Sequence, residues 1–95
     1  MGISIKANSS YKKTAGLKLY HTEFCPYCQK VRAAMKELNL NIELRDINLN
    51  KDWEKELVSH GGKRQTPCLC IDENESQRWM YESNDIISYL KNLPS

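Results

Sequence analysis

The chain has 95 residues, 40% of them hydrophobic, enough for one small domain with a modest core and too few for two. Its 14 basic and 12 acidic residues leave a formal net charge of +2, too balanced for a nucleic-acid surface, and no basic run is longer than a pair such as Lys63-Arg64. No apolar run reaches the length of about 20 residues that spans a bilayer, so no membrane segment is expected.

The opening "MGISIKANSSYKKTAG" lacks the apolar block of a signal peptide, and Lys6 stands where a myristoylation signal needs Ser or Thr. A cytoplasmic protein is expected, with residues 1–16 as a flexible extension and residues 17–95 as the domain.

"LKLY", Leu17 to Tyr20, alternates apolar and polar side chains and predicts a strand that stops before Pro26. From Pro26 the period changes: Val31, Ala34, Met35 and Leu38 recur at helical spacing. "NIELRDI", Asn41 to Ile47, alternates again and predicts a second strand. Asn50 can cap a helix that turns Trp53, Leu57 and Val58 inward and closes at His60 and Gly61-Gly62. "PCLCI" reads as a buried strand, "DENES" as a turn and "QRWMY" as its strand partner. Ser83 is expected to cap a last helix with Ile86, Ile87, Tyr89, Leu90 and Leu93 inward, ended by Pro94.

The order β-α-β-α-β-β-α predicts an α/β fold. A right-handed β-α-β start makes the first two strands parallel, and a hairpin joins the third and fourth. The expected result is a four-stranded mixed sheet flanked by three helices.

Four cysteines without a secretory context make permanent disulfides unexpected. Two of them lie in "EFCPYCQK". Pro26 suits the first helical turn, which places Cys25 at the helix N-terminus, facing N–H groups that have no partner inside the helix. A thiolate there is stabilised. The helix dipole contributes only about 0.3 to 1 kcal/mol, less than one pKa unit, so hydrogen bonds from the first-turn N–H groups must do most of the lowering. Cys28, one turn on, is expected to point toward the sheet, within disulfide reach. An exposed activated thiol with a sheltered second thiol is the geometry of thiol–disulfide exchange. The alternative is a zinc knuckle of Cys25, Cys28, Cys68 and Cys70; because zinc pairs sit on turns and Pro26 starts a helix, no metal is expected. Cys68 and Cys70, two apart on a strand, face one side and read as small apolar core residues, with a regulatory thiol as the alternative. His21 and His60 read as structural, and Trp53 and Trp79 as core or rim.

"CPYC" between a strand and an amphipathic helix, "TP" at Thr66-Pro67 opening the third strand, and the helix start "ESNDII" together resemble a glutaredoxin of the dithiol type, over about Leu17 to Leu93. The resemblance implies a thioredoxin-like fold and a glutathione-dependent thiol–disulfide oxidoreductase, with Cys25 as nucleophile and Cys28 as resolving thiol. It also implies a cis bond between Thr66 and Pro67 that leaves the Thr66 backbone free to pair with a peptide-like substrate beside Cys25. Glutathione is then the co-substrate: Lys63, Arg64 or Gln65 for its glycine carboxylate, the amides at Ser83 and Asn84 for the other carboxylate, and Glu82 or Asp85 for its α-amino group. Tyr27 is expected at the surface, touching substrate. The expected partners are glutathione and disulfide-bonded or glutathionylated proteins, met by a monomer.

Two positions depart from that pattern. Thr22 stands where many glutaredoxins carry a lysine, and the glycine pair before the last helix is replaced by "YESNDI", which looks more like the glutathione-binding corner of the N-terminal domain of glutathione transferases. Two further functions therefore stand beside the main one: an iron–sulfur carrier using Cys25 and glutathione, and a glutathione-binding transferase-like module that has no need of Cys28.

Overall fold

The computed structural model describes residues 14–94; the expected flexible extension lies, but for its last three residues, outside them. Those three form a turn. The Leu17 N–H reaches the Thr14 carbonyl at 3.1 Å, and the Gly16 carbonyl takes the Asp72 N–H at 2.9 Å.

The elements follow in the predicted order: β1 Leu17–His21, α1 Pro26–Glu37, β2 Glu43–Asp46, α2 Lys51–Glu56, β3 Cys68–Glu73, β4 Ser76–Met80 and α3 Ser83–Lys91. The four strands form one sheet in the order β2-β1-β3-β4. β1 and β2 are parallel, with Leu19 opposite Leu44, whereas β3 runs antiparallel to both β1 and β4, with Leu69 opposite Leu19 and Met80. This mixed sheet with three helices is the thioredoxin-like arrangement.

Alternation along β1 and β3 divides the core in two. Leu17, Leu19, Leu69 and Ile71 face Val31 and Met35 of α1 and Ile86 and Leu90 of α3. On the other face Tyr20, Cys68 and Cys70 pack with Ile47 and Leu57. The two β3 cysteines thus share one face, as their spacing requires, and both are fully buried.

Asn50 caps α2 as expected, accepting from the N–H groups of Asp52 at 2.8 Å and Trp53 at 3.4 Å. Past Glu56 the helix widens into a π turn, Leu57–Gly61, and ends at Gly62, whose φ of +98° is one a glycine adopts freely. Val58, expected inward, is instead 44% exposed. The inward face of α2 is set by Trp53 and Leu57, four apart, and the next residue is turned away by about 100°.

The start of α3 also differs from expectation. Its N-cap is Glu82, in extended conformation with ψ 126°, and Ser83 is the first helical residue. No side chain caps this end, because the Glu82 carboxylate makes no bond back to the first turn.

Candidate functional site

α1 begins at the quoted motif. Cys25 is its N-cap residue, extended at φ −76° and ψ 122°, and Pro26 fills the first helical position, where the missing N–H costs nothing. The Cys25 sulfur takes the role usually held by a Ser or Asp oxygen: it accepts from the Cys28 N–H at 3.4 Å. The Thr66 carbonyl lies 3.9 Å from the same sulfur, and the Thr66-Pro67 peptide is cis.

The two thiols are pushed apart. Partial burial opposes a Cys25 thiolate, but it is outweighed by hydrogen bonds from the Cys28 N–H, the Cys28 thiol, the Tyr27 N–H and Thr66, so its pKa falls below the ordinary thiol value. Burial pushes the Cys28 thiol up; it has no solvent exposure and lies toward the sheet. Both thiols are free.

The loop before Cys25 is held from α1. Arg32, two turns into the helix, reaches back with Nη1 to Nδ1 of His21 at 2.8 Å and to the Thr22 carbonyl at 3.2 Å, and with Nη2 to the Glu23 carbonyl at 2.8 Å. An arginine only donates, so Nδ1 of His21 is the acceptor and carries no proton. Burial and the Arg32 charge both lower the His21 pKa in keeping with this. His21 is structural, as its place at a strand end suggests. Thr22 offers its backbone to this brace where the resemblance would place a lysine.

Beside the motif lies a cleft of about 240 Å³. It gathers Tyr27 from α1, Gln65, Thr66 and Pro67 from the loop before β3, and Glu82, Ser83 and Asn84 from the start of α3. Lys63 and Arg64, expected with them, do not line it. Arg64 is ion-paired with Glu54 and lies 3.5 Å from Asn48, facing α2. Lys63 places its ammonium 4.6 Å from the centre of the Tyr81 ring, and its carbonyl accepts from the Tyr81 hydroxyl at 3.1 Å.

Two lining residues were not anticipated from sequence: Tyr81 and Lys30. Tyr81 anchors the 62–67 loop through Lys63, a tertiary contact that no local pattern announces. Lys30 bridges α1 to α3, its ammonium 2.8 Å from Oδ1 of Asn84. A signal existed for it, since Lys30 follows Tyr27 by three positions and so stands one helical turn away on the same side. Cys68, directly after Pro67, is buried with its pKa pushed up to about 12 by that burial, the state of an inert core thiol. Among the described residues no group of three or more His, Cys, Asp and Glu is arranged to hold a metal ion.

Residues 19–95 match the sequence profile of the glutathione S-transferase N-terminal domain. Glutaredoxin 2 of Escherichia coli is 38% identical over 77 residues, which are 81% of this chain and 34% of that protein. Prostaglandin E synthase 2 of Mus musculus is 33% identical over 75 residues, covering 79% of this chain and 19% of that one. The chain thus spans about a third or less of the length of these two curated relatives. Among solved structures, a trimeric glutathione transferase of Leishmania superposes with a TM-score of 0.65 at 26% identity, over 80% of this chain and 17% of that one. A maleylacetoacetate isomerase of Anaeromyxobacter dehalogenans with bound glutathione shares the fold at 23% identity and a TM-score of 0.59, over 79% of this chain and 36% of that one. By fold and by a sequence match over most of its length, the chain belongs to the family of glutathione S-transferase N-terminal domains.

Proposed function

We propose that this domain is a glutathione-dependent thiol–disulfide oxidoreductase that reduces protein disulfides and glutathione mixed disulfides. The observation that carries this reading is the unlike pair of thiols at the start of α1: Cys25 partly exposed, capping the helix with its pKa lowered, and Cys28 buried behind it with its pKa raised. The Cys25 thiolate attacks one sulfur of a substrate disulfide, forming a mixed disulfide and expelling the other sulfur as a thiolate. The Cys28 thiol loses its proton and displaces the second product, closing a Cys25–Cys28 bond. Two molecules of glutathione return that pair to thiols and leave as glutathione disulfide. For a glutathionylated substrate, one further glutathione can resolve the intermediate at Cys25 alone.

The cleft supports glutathione as the co-substrate. Thr66 offers backbone groups beside Cys25 for a peptide-like ligand, and the uncapped amides of Ser83 and Asn84 offer donors to a carboxylate. Gln65, Glu82 and Tyr27 complete the walls, with Lys63 and Arg64 beyond them in the same loop. A monomer in a reducing cytoplasm fits two free thiols that cycle.

The test is turnover of a glutathione mixed disulfide, coupled to glutathione reductase and followed through NADPH. Cys25→Ser is expected to abolish it and Cys28→Ser to retain it. Equal turnover by wild type and Cys25→Ser would sink the reading. The family and the solved neighbours favour a second reading, a glutathione-binding module of a transferase. Conjugation of an electrophile that survives Cys25→Ser would establish it.

A further inference from the structure

We propose that Lys30 is the cation that recognises the carboxylate on the γ-glutamyl end of glutathione and, with Glu82, makes the cleft selective for a free α-amino acid head group; the inference rests on the reading of this cleft as a glutathione site. Lys30 and Glu82 both line the cleft, and among the described residues neither is ion-paired. The Lys30 ammonium is instead held by a neutral amide oxygen, Oδ1 of Asn84, at 2.8 Å. That contact fixes the ammonium over the first turn of α3 without neutralising it, and leaves two of its three N–H donors for a ligand. By contrast Arg64, one of the two cations expected to bind glutathione, already faces the Glu54 carboxylate.

The charged side chains that line the cleft are therefore one ammonium and one carboxylate, the complement of a zwitterion, with Asp85 in the first turn of α3 outside that lining. The γ-glutamyl end of glutathione is such a group: its α-carboxylate suits Lys30 and the Ser83 and Asn84 amides, and its α-ammonium suits Glu82.

Binding of S-methylglutathione, which cannot exchange its sulfur, tests this by calorimetry on the full chain. The comparison ligand is S-methyl-γ-aminobutyryl-cysteinyl-glycine, which keeps the amine and lacks the α-carboxylate. Lys30→Gln is expected to weaken S-methylglutathione by about tenfold, the scale of a lost charge-assisted hydrogen bond, and to leave the decarboxylated ligand unchanged. Lys30→Arg should recover most of the loss. Equal weakening of both ligands, or none for either, overturns the proposal. If S-methylglutathione fails to bind the wild type, the glutathione site and this inference fall together. If it binds with the expected pattern while mixed disulfides are not turned over, Lys30 keeps its role and only the oxidoreductase reading fails.

Discussion

Nη1 of Arg32 donates to Nδ1 of His21 across 2.8 Å, so the strand that precedes the motif and the helix that follows it are tied by a neutral imidazole. His21 is buried beside Arg32, with Asp46 and Glu23 as the nearby acids, and its folded pKa lies below the ordinary value of 6.5. Above that pH both folded and unfolded chains hold the ring neutral. As pH falls through it, the unfolded chain binds a proton that the folded chain resists, and stability drops until the folded pKa is passed. Urea midpoints measured from pH 7.5 down to 5 should therefore decline, and His21→Gln should flatten the decline.

Arg32 satisfies three acceptors in consecutive residues ahead of Cys25. Replacing it with Met keeps the apolar stem and removes all three donors, at an expected cost of about 1 to 3 kcal/mol in urea unfolding. Turnover of a glutathione mixed disulfide should fall as well, because the loop that carries Cys25 loses its brace. Arg32→Lys, able to reach one acceptor, should recover part of both.

A Cβ added at Gly61 would stand 2.5 Å from the Tyr81 hydroxyl and 3.0 Å from the Trp79 ring. In an open helix, Gly→Ala stabilises by roughly 0.5 to 1 kcal/mol. Here the sign reverses, since the methyl would meet a Tyr81 hydroxyl held by the Lys63 carbonyl and a Trp79 ring packed on Tyr20. Thermal melting should show Gly61→Ala below wild type, with part of the loss restored by Tyr81→Phe.

Iodoacetamide reads the thiols separately. The Cys28 N–H and its fellow donors hold Cys25 reactive at pH values where an ordinary thiol is protonated, whereas burial protects Cys28. Mass mapping across a pH series should find Cys25 alkylated first, with an apparent pKa below the usual thiol range, and Cys28, Cys68 and Cys70 unlabelled until the fold is opened.

Leu69 sits at the centre of β3, fully buried and opposite both Leu19 and Met80. Leu69→Ala is expected to cost about 2 to 5 kcal/mol, seen as a lower denaturation midpoint at unchanged m-value.

Much of this was legible from residue order. Periodicity, apolar runs and turn residues marked all seven regular elements, and Pro26 after Cys25 placed that cysteine at a helix cap because both facts are local. The same holds for Asn50 and for Cys68 and Cys70, whose two-residue spacing alone puts them on one face. Elsewhere tertiary contacts outvote the local rule. Ser83 is a favoured cap residue, yet the chain enters the helix one residue earlier, at Glu82. Val58 was drawn inward by its neighbour Leu57, although the two are a poor match in helical phase. Arg64 looked like a free cation until α2 brought Glu54 to it. Arg32 and Tyr81 were invisible because their partners are backbone carbonyls, which every residue has and no sequence marks.

The outer strands of the sheet carry a further consequence. β2, only four residues long, presents Glu43, Arg45 and Asp46, and β4 presents Ser76, Gln77 and Arg78. A sheet whose margins are short and carry charged side chains resists pairing with the margin of another copy, since an added strand would have to strip water from those charges. The margins of two copies would, by this means, be kept apart without any loop or helix to cover them.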